Sequence, residues 1–92
     1  MRVDIYSKPA CSLCDAALEV VERVRARIPF ELRLISILED PALVAAYRYD
    51  IPVVFINEQA AFKHRVEEAE LEAYLLQVLN GTQVAHSPAR DE

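Results

Sequence analysis

The chain has 92 residues, of which 53% are hydrophobic and 27% charged, which suits one small folded domain and excludes an intrinsically disordered chain. The net charge is −5 with scattered basic residues, so we expect no nucleic-acid partner, and no apolar run reaches the roughly eighteen residues of a membrane span. The N-terminus has no charged region followed by an apolar stretch, so we expect no signal peptide and a cytoplasmic location.

Hydrophobic periodicity predicts alternating strands and helices. The first strand covers residues 2–6, with Val3 and Ile5 on one face and Asp4 and Tyr6 on the other. The further elements are a helix over 12–28, a strand over 30–37 with Phe30, Leu32 and Leu34 inward, a helix over 41–47, strands over 53–56 and 59–64, and a helix over 67–79 with Leu71, Tyr74, Leu75, Val78 and Leu79 inward. Residues 82–92 carry no periodicity, so we expect a domain over 1–81 and a flexible C-terminal tail.

Residues with strong local preferences mark the ends of these elements. Pro29 stops the first helix, and Asp40-Pro41 supplies an N-cap and a first helical residue for the second. Asn57-Glu58 is interpreted as a hairpin turn and Asn80-Gly81 as a C-cap. The order β-α-β-α-β-β-α predicts an α/β fold: a parallel βαβ unit, then a hairpin and a helix, giving a four-stranded mixed sheet with helices on both faces.

The two cysteines of the chain, Cys11 and Cys14, lie between the first strand and the first helix. Residues three apart share a helix face, so the two sulfurs can meet. The unpaired N–H groups and the dipole at a helix start favour a thiolate at Cys11, and Lys8 could add a cation. A pair at this spacing indicates a dithiol/disulfide switch.

Two other interpretations of the pair are a buried apolar contact and half of a zinc site. A structural zinc ion needs four ligands, and this chain has no second cysteine pair, while His64 and His86 stand far apart. We therefore expect no metal bound within one chain, although a dimer could share one. The redox interpretation is favoured.

Two segments give a resemblance to the glutaredoxins, small members of the thioredoxin superfamily. Tyr6-Ser-Lys-Pro-Ala-Cys-Ser-Leu-Cys14 follows the first strand directly, and Ile51-Pro-Val-Val-Phe-Ile56 is similar to the family's Thr-Val-Pro-x-x-Phe-Ile segment. With the spacing between them, the resemblance covers residues 1–80. It is closest to short glutaredoxin-like proteins with a Cys-x-x-Cys motif.

The resemblance implies a role for each matching residue. Cys11 would be the exposed nucleophile and Cys14 the resolving thiol. Pro52 would follow a cis peptide bond and face the disulfide, while the Ile51 backbone would pair with the bound thiol peptide. Tyr6 has two interpretations: it flanks the active-site groove, or it is an ordinary strand aromatic that packs on a helix.

The sequence also departs from the glutaredoxin pattern. The residues between the cysteines are Ser-Leu rather than Pro-Tyr, and the Gly-Gly pair that presents backbone N–H groups to a glutathione carboxylate is replaced in the segment 63–67. Lys8, Arg65 and Arg48 are candidate cations for that carboxylate. Asp4 has two interpretations: it accepts the proton of Cys14, or it pairs with an arginine.

Together these observations predict a thiol-disulfide oxidoreductase, with a binding module of the same fold as the alternative, such as a dimeric iron–sulfur carrier or a redox-sensitive adaptor. No cofactor should be required, and glutathione is a candidate co-substrate. The expected partners are disulfide-containing proteins and either glutathione or a flavoprotein reductase. The protein is expected to act as a monomer.

Overall fold

The computed structural model describes residues 1–81, so the tail expected over 82–92 lies outside the described residues. Four strands and three helices follow one another in the predicted order. They are β1 (Arg2–Ser7), α1 (Ser12–Arg25), β2 (Glu31–Ser36), α2 (Pro41–Tyr47), β3 (Val53–Ile56), β4 (Gln59–Lys63) and α3 (Glu68–Leu79), with a short 3₁₀ turn at Ile37–Glu39.

The strands form one sheet in the order β2-β1-β3-β4. Strand β1 runs parallel to β2 and antiparallel to β3, and β3 runs antiparallel to β4. Because β1 and β2 are parallel, their carboxyl ends meet at one edge of the sheet, where β3 begins. The predicted α/β fold with a four-stranded mixed sheet is confirmed.

A main core lies between one face of the sheet and helices α1 and α3. The alternation along β1 places Val3 and Ile5 in this core, at 0% and 1% exposed. The helical contributions come from the stripes of α1 and α3: Ala17, Val21, Val24, Leu71, Tyr74 and Leu75. A smaller cluster holds Cys14, Ile37 and Ile51, with side chains of α2 packed against it.

The β3–β4 hairpin turns without a glycine. Asn57 and Glu58 both adopt left-handed backbone angles, with φ of 50° and 69°, as the tightest hairpin turns require. Asn57 is held from both sides, since the Arg2 N–H donates to its side-chain oxygen at 2.9 Å and its own N–H donates to the Arg2 carbonyl at 2.8 Å. These bonds to β1 fix the turn.

Several predicted boundaries and two inward residues were wrong. Helix α1 ends at Arg25 rather than at 28, where the chain turns and the Arg25 side chain donates to the Phe30 carbonyl at 3.0 Å. Strands β2 and β4 and helix α3 are each one or two residues shorter than expected. Leu34 and Leu79 are both 56% exposed, because β2 is an edge strand and Leu79 ends the last turn of α3.

Candidate active site

The carboxyl end of β1 carries the two cysteines into the start of α1. Cys11 is the N-cap residue, in extended conformation, and its carbonyl accepts the first helical hydrogen bond from the Asp15 N–H at 3.0 Å. Ala10, just before it, has a left-handed φ of 57°. The loop therefore turns sharply and presents Cys11 ahead of the helix.

The two thiols have different surroundings. Cys11 is partly exposed, and its Sγ accepts the backbone N–H of Cys14 at 3.3 Å. Cys14 is 5% exposed. Its burial, followed by the hydrogen bond with the Cys11 side chain, raises the pKa of Cys14 from 9.0 to about 11, and the charges of Cys11 and Asp15 act in the same direction. The pair thus combines an accessible sulfur with a buried, protonated one.

The segment before β3 packs against this pair. Ile51 belongs to the same buried cluster as Cys14, and Pro52 is fully buried. The Ile51–Pro52 peptide bond is cis, as expected from the resemblance. The Ile51 N–H donates to the Tyr47 carbonyl at 3.2 Å, and within residues 1–81 no hydrogen bond reaches the Ile51 carbonyl. Of the two Ile51 backbone groups that could pair with a substrate, the N–H is therefore occupied within residues 1–81 and the carbonyl is not.

Three aromatic rings cover the α2 face of the sheet beside the site. Tyr6 lies 5.2 Å from Tyr47 and 5.3 Å from Phe55, centroid to centroid, in tilted and edge-on arrangements. Tyr6 and Tyr47 also pack against the cluster that holds Cys14 and Ile51. Tyr6 therefore packs on helix α2 and beside the cysteines, which suits both interpretations of this residue, and Tyr47 is a neighbour that the sequence did not single out.

The segment after β4 has no glycine and uses its own backbone donors. His64 has a left-handed φ of 69°. Its N–H donates to the Pro52 carbonyl at 2.9 Å, and the Arg65 N–H donates to the Lys63 carbonyl at 2.8 Å. The His64 ring lies 2.9 Å from the Tyr49 carbonyl. His64 is exposed, yet both its backbone and its ring bind the loop before β3.

The three candidate cations are all exposed, and they differ in what they contact. Lys8 lies in the loop just before Cys11. The Arg48 guanidinium stacks over the ring of Tyr49 at 4.8 Å. Arg65 follows His64, and no described contact joins its side chain to the cysteines. The structure thus brings together Cys11, Cys14, Tyr6 and Ile51, and the backbone of Lys8 hydrogen-bonds to the Cys14 thiol.

Asp4 is 4% exposed and pairs with two arginines. Its oxygens lie 3.1 Å from Arg33 Nε and 3.2 Å from Arg2 Nε. It is not among the groups that shift the pKa of Cys14. The arginine-paired interpretation is therefore the one that the structure supports, and the proton-acceptor interpretation is not.

Within residues 1–81, no three His, Cys, Asp or Glu side chains come close enough to hold a metal ion. None of the helices described there has the length and apolar character needed to cross a bilayer.

Comparison with known proteins agrees with this geometry. The family model for the glutaredoxin-like domain matches residues 2–76. A glutaredoxin-like protein of Dictyostelium discoideum is 29% identical over 77 residues, which cover 77% of this chain and 71% of that protein.

Solved structures show the same fold. An X-ray structure of a protein from X. campestris has a TM-score of 0.69 and 26% identity, over 79% of this chain and 93% of that one. Thioredoxin 1 of Thermosipho africanus has a TM-score of 0.65 at 19% identity, over 87% and 96% of the two chains. The latter likeness concerns the fold alone.

Proposed function

Since the chain belongs to the glutaredoxin-like domain family, we propose that it is a thiol-disulfide oxidoreductase that reduces protein or small-molecule disulfides with the Cys11–Cys14 dithiol. One observation carries the proposal. The accessible Cys11 sulfur accepts the N–H of Cys14 at 3.3 Å, while Cys14 is buried and has a pKa of about 11. A nucleophile and a resolving thiol need these two environments.

The reaction transfers two electrons from the dithiol to the substrate. Cys11, as a thiolate, attacks one substrate sulfur; a mixed disulfide forms, and the other substrate sulfur leaves and takes up a proton. Cys14 then gives up its proton and attacks Cys11 Sγ, which forms the Cys11–Cys14 disulfide and releases the second substrate thiol. A reductant must afterwards return two electrons, and one proton restores the pair of Cys11 thiolate and Cys14 thiol.

The pKa of Cys14 helps to order these steps. The hydrogen bond with Cys11 and the charge on Cys11 are among the causes that raise this pKa. Both causes disappear when Cys11 enters a neutral mixed disulfide, so the pKa of Cys14 falls at the stage when its thiolate is needed. Before that stage, Cys14 remains a protonated thiol.

The reductant is proposed to be a flavoprotein reductase rather than glutathione. Two backbone N–H groups after β4, those of His64 and Arg65, already donate to Pro52 and Lys63. Hydrogen bonds to a charged group contribute about 1.5–3 kcal/mol each, so losing two costs roughly a hundredfold or more in affinity. An assay with glutathione and hydroxyethyl disulfide, run beside an ordinary dithiol glutaredoxin, should show weak activity; equal catalytic efficiency would contradict this proposal.

We place the protein in the cytoplasm as a monomer that binds disulfide-containing protein substrates and needs no cofactor. The number of cysteines supports a reducing compartment such as the cytoplasm, because the chain carries two cysteines at redox spacing and no others. The proposed chemistry needs only the two sulfurs and the external reductant.

Reduction of insulin disulfides with dithiothreitol as the terminal reductant tests the proposal. The wild-type protein should accelerate the reaction, and Cys11→Ser should abolish the acceleration because the attacking sulfur is missing. Ser7→Ala, which leaves both sulfurs in place, is the control. An active Cys11→Ser variant would refute the proposed function.

A further inference from the structure

His64 makes two hydrogen bonds to the loop that presents Ile51. Its backbone N–H donates to the carbonyl of Pro52, and its ring Nε2 lies 2.9 Å from the carbonyl of Tyr49. A carbonyl oxygen only accepts, so Nε2 carries the proton and donates. The two accepting carbonyls lie on either side of Ile51 in the sequence.

The left-handed backbone conformation of His64 allows both hydrogen bonds to form. Its φ of 69° turns the chain directly after β4, so that the backbone N–H and the ring both reach the 49–52 loop. Residues with a Cβ adopt this conformation only at a cost, and it persists where the surroundings hold it. A third link, between Lys63 Nζ and Asp50 at 3.8 Å, joins the same two segments.

The part of the loop held in this way borders the cysteines. The Ile51 side chain packs in the same cluster as Cys14, and the Ile51 backbone N–H donates to the Tyr47 carbonyl. The Ile51 carbonyl, unpaired within residues 1–81, is an acceptor that a neighbouring peptide N–H could use. Its direction depends on the carbonyls of Tyr49 and Pro52, which His64 holds.

We propose that His64 is a positioning residue, which fixes the loop over 49–52 so that the Ile51 carbonyl can bind the backbone of a disulfide-bearing peptide. The inference rests on the proposed function, because it assumes that such a peptide is attacked by Cys11. It assigns His64 no part in proton transfer or in attack on sulfur. Its effect should therefore depend on whether the substrate has a peptide backbone.

The test variant is His64→Gly, which removes the ring without straining the left-handed backbone. Its matched control is Glu58→Gly. Glu58 has the same φ of 69° and immediately precedes β4, whereas His64 immediately follows it. His64→Gln retains a side-chain N–H donor and serves as the rescue variant. All are compared with insulin and with the aromatic disulfide DTNB, which has no peptide backbone.

We expect His64→Gly to lower kcat/KM for insulin by up to about tenfold, the effect of one lost neutral hydrogen bond. Its kcat/KM for DTNB should stay within about twofold of wild type. Glu58→Gly should leave both values unchanged, and His64→Gln should recover most of the insulin activity. Equal losses with both substrates would mean general damage to the site and would overturn the proposal, as would full insulin activity of His64→Gly.

Amide hydrogen exchange separates this inference from the proposed function. The Ile51 N–H, which donates to the Tyr47 carbonyl, should exchange faster in His64→Gly than in wild type or in Glu58→Gly. Unchanged exchange would overturn the positioning role, whatever the enzyme assays show. A wild-type protein that reduces no disulfide would instead refute the proposed function, and the exchange rates would still decide whether His64 holds the loop.

Discussion

The raised pKa of Cys14 predicts that the free energy of unfolding falls in alkaline solution. The folded chain keeps the Cys14 proton up to a pKa of about 11, whereas the ordinary value is 9.0. Above about pH 9 the unfolded chain therefore loses a proton that the folded chain still binds, which favours unfolding. The contribution of Cys14 to stability is thus complete below that pH and is lost as the pH rises through the folded pKa.

The size of the effect follows from the shift. A difference of about two pH units corresponds to roughly 3 kcal/mol in total, at about 1.4 kcal/mol per unit. Between about pH 8 and about pH 10.5, roughly 2 kcal/mol of this should be lost. Most of Cys14 is shielded from water, at 5% exposed, so solvent screening reduces this figure little.

Urea unfolding of the reduced protein, with Cys14→Ser as the reference, isolates this contribution. Titrating groups that do not interact with Cys14 are present in both chains and largely cancel; one is Tyr74, whose pKa is raised by burial. Between about pH 8 and about pH 10.5, the wild-type protein should lose roughly 2 kcal/mol of unfolding free energy relative to the Cys14→Ser variant. A difference that does not change with pH would refute the argument that burial keeps Cys14 protonated.

Three further predictions concern the site and the core. At neutral pH, iodoacetamide should modify Cys11 and leave Cys14 unmodified in the folded protein, because a protonated and buried thiol reacts slowly; mass spectrometry that finds Cys14 modified first would contradict this. Leu71→Ala should destabilise the fold by about 2–5 kcal/mol in urea unfolding, since Leu71 is 0% exposed, whereas the exposed Leu79→Ala should cost at most about 0.5 kcal/mol. Asp4→Asn should cost about 1–3 kcal/mol by removing the charge that its two arginine partners bind, while insulin reduction should persist; loss of that activity in a folded variant would revive a proton-transfer role.

Much of the fold could be predicted because local patterns agree with the final packing. Strict alternation over residues 2–6 predicted which side chains of β1 enter the main core. Asp40 caps α2 as its residue type indicates, accepting the Ala42 N–H at 2.9 Å. The C-terminal end of α1 and the exposure of Leu34 could not be predicted, because they depend on neighbouring elements. An edge position in a sheet leaves no mark in the pattern of one strand.

The candidate site divides in the same way. Cys11, Cys14 and Pro52 follow from motif and resemblance, since their residue types are tied to the chemistry. The role proposed for His64 did not follow, because its left-handed backbone and its bond to the Tyr49 carbonyl join segments that are distant in sequence. The only sequence feature that drew attention to this segment was the absence of the Gly-Gly pair after β4, and it predicted only a different backbone conformation there.

Trapping of a mixed disulfide tests the central claim most directly. The Cys14→Ser variant, incubated with a peptide disulfide, should accumulate one adduct joined to Cys11, because the thiol that would resolve it is missing. Dithiothreitol should release the adduct, and fragment masses should place it on Cys11. No adduct in Cys14→Ser, together with an adduct on Cys14 in the Cys11→Ser variant, would contradict the assignment of Cys11 as the nucleophile.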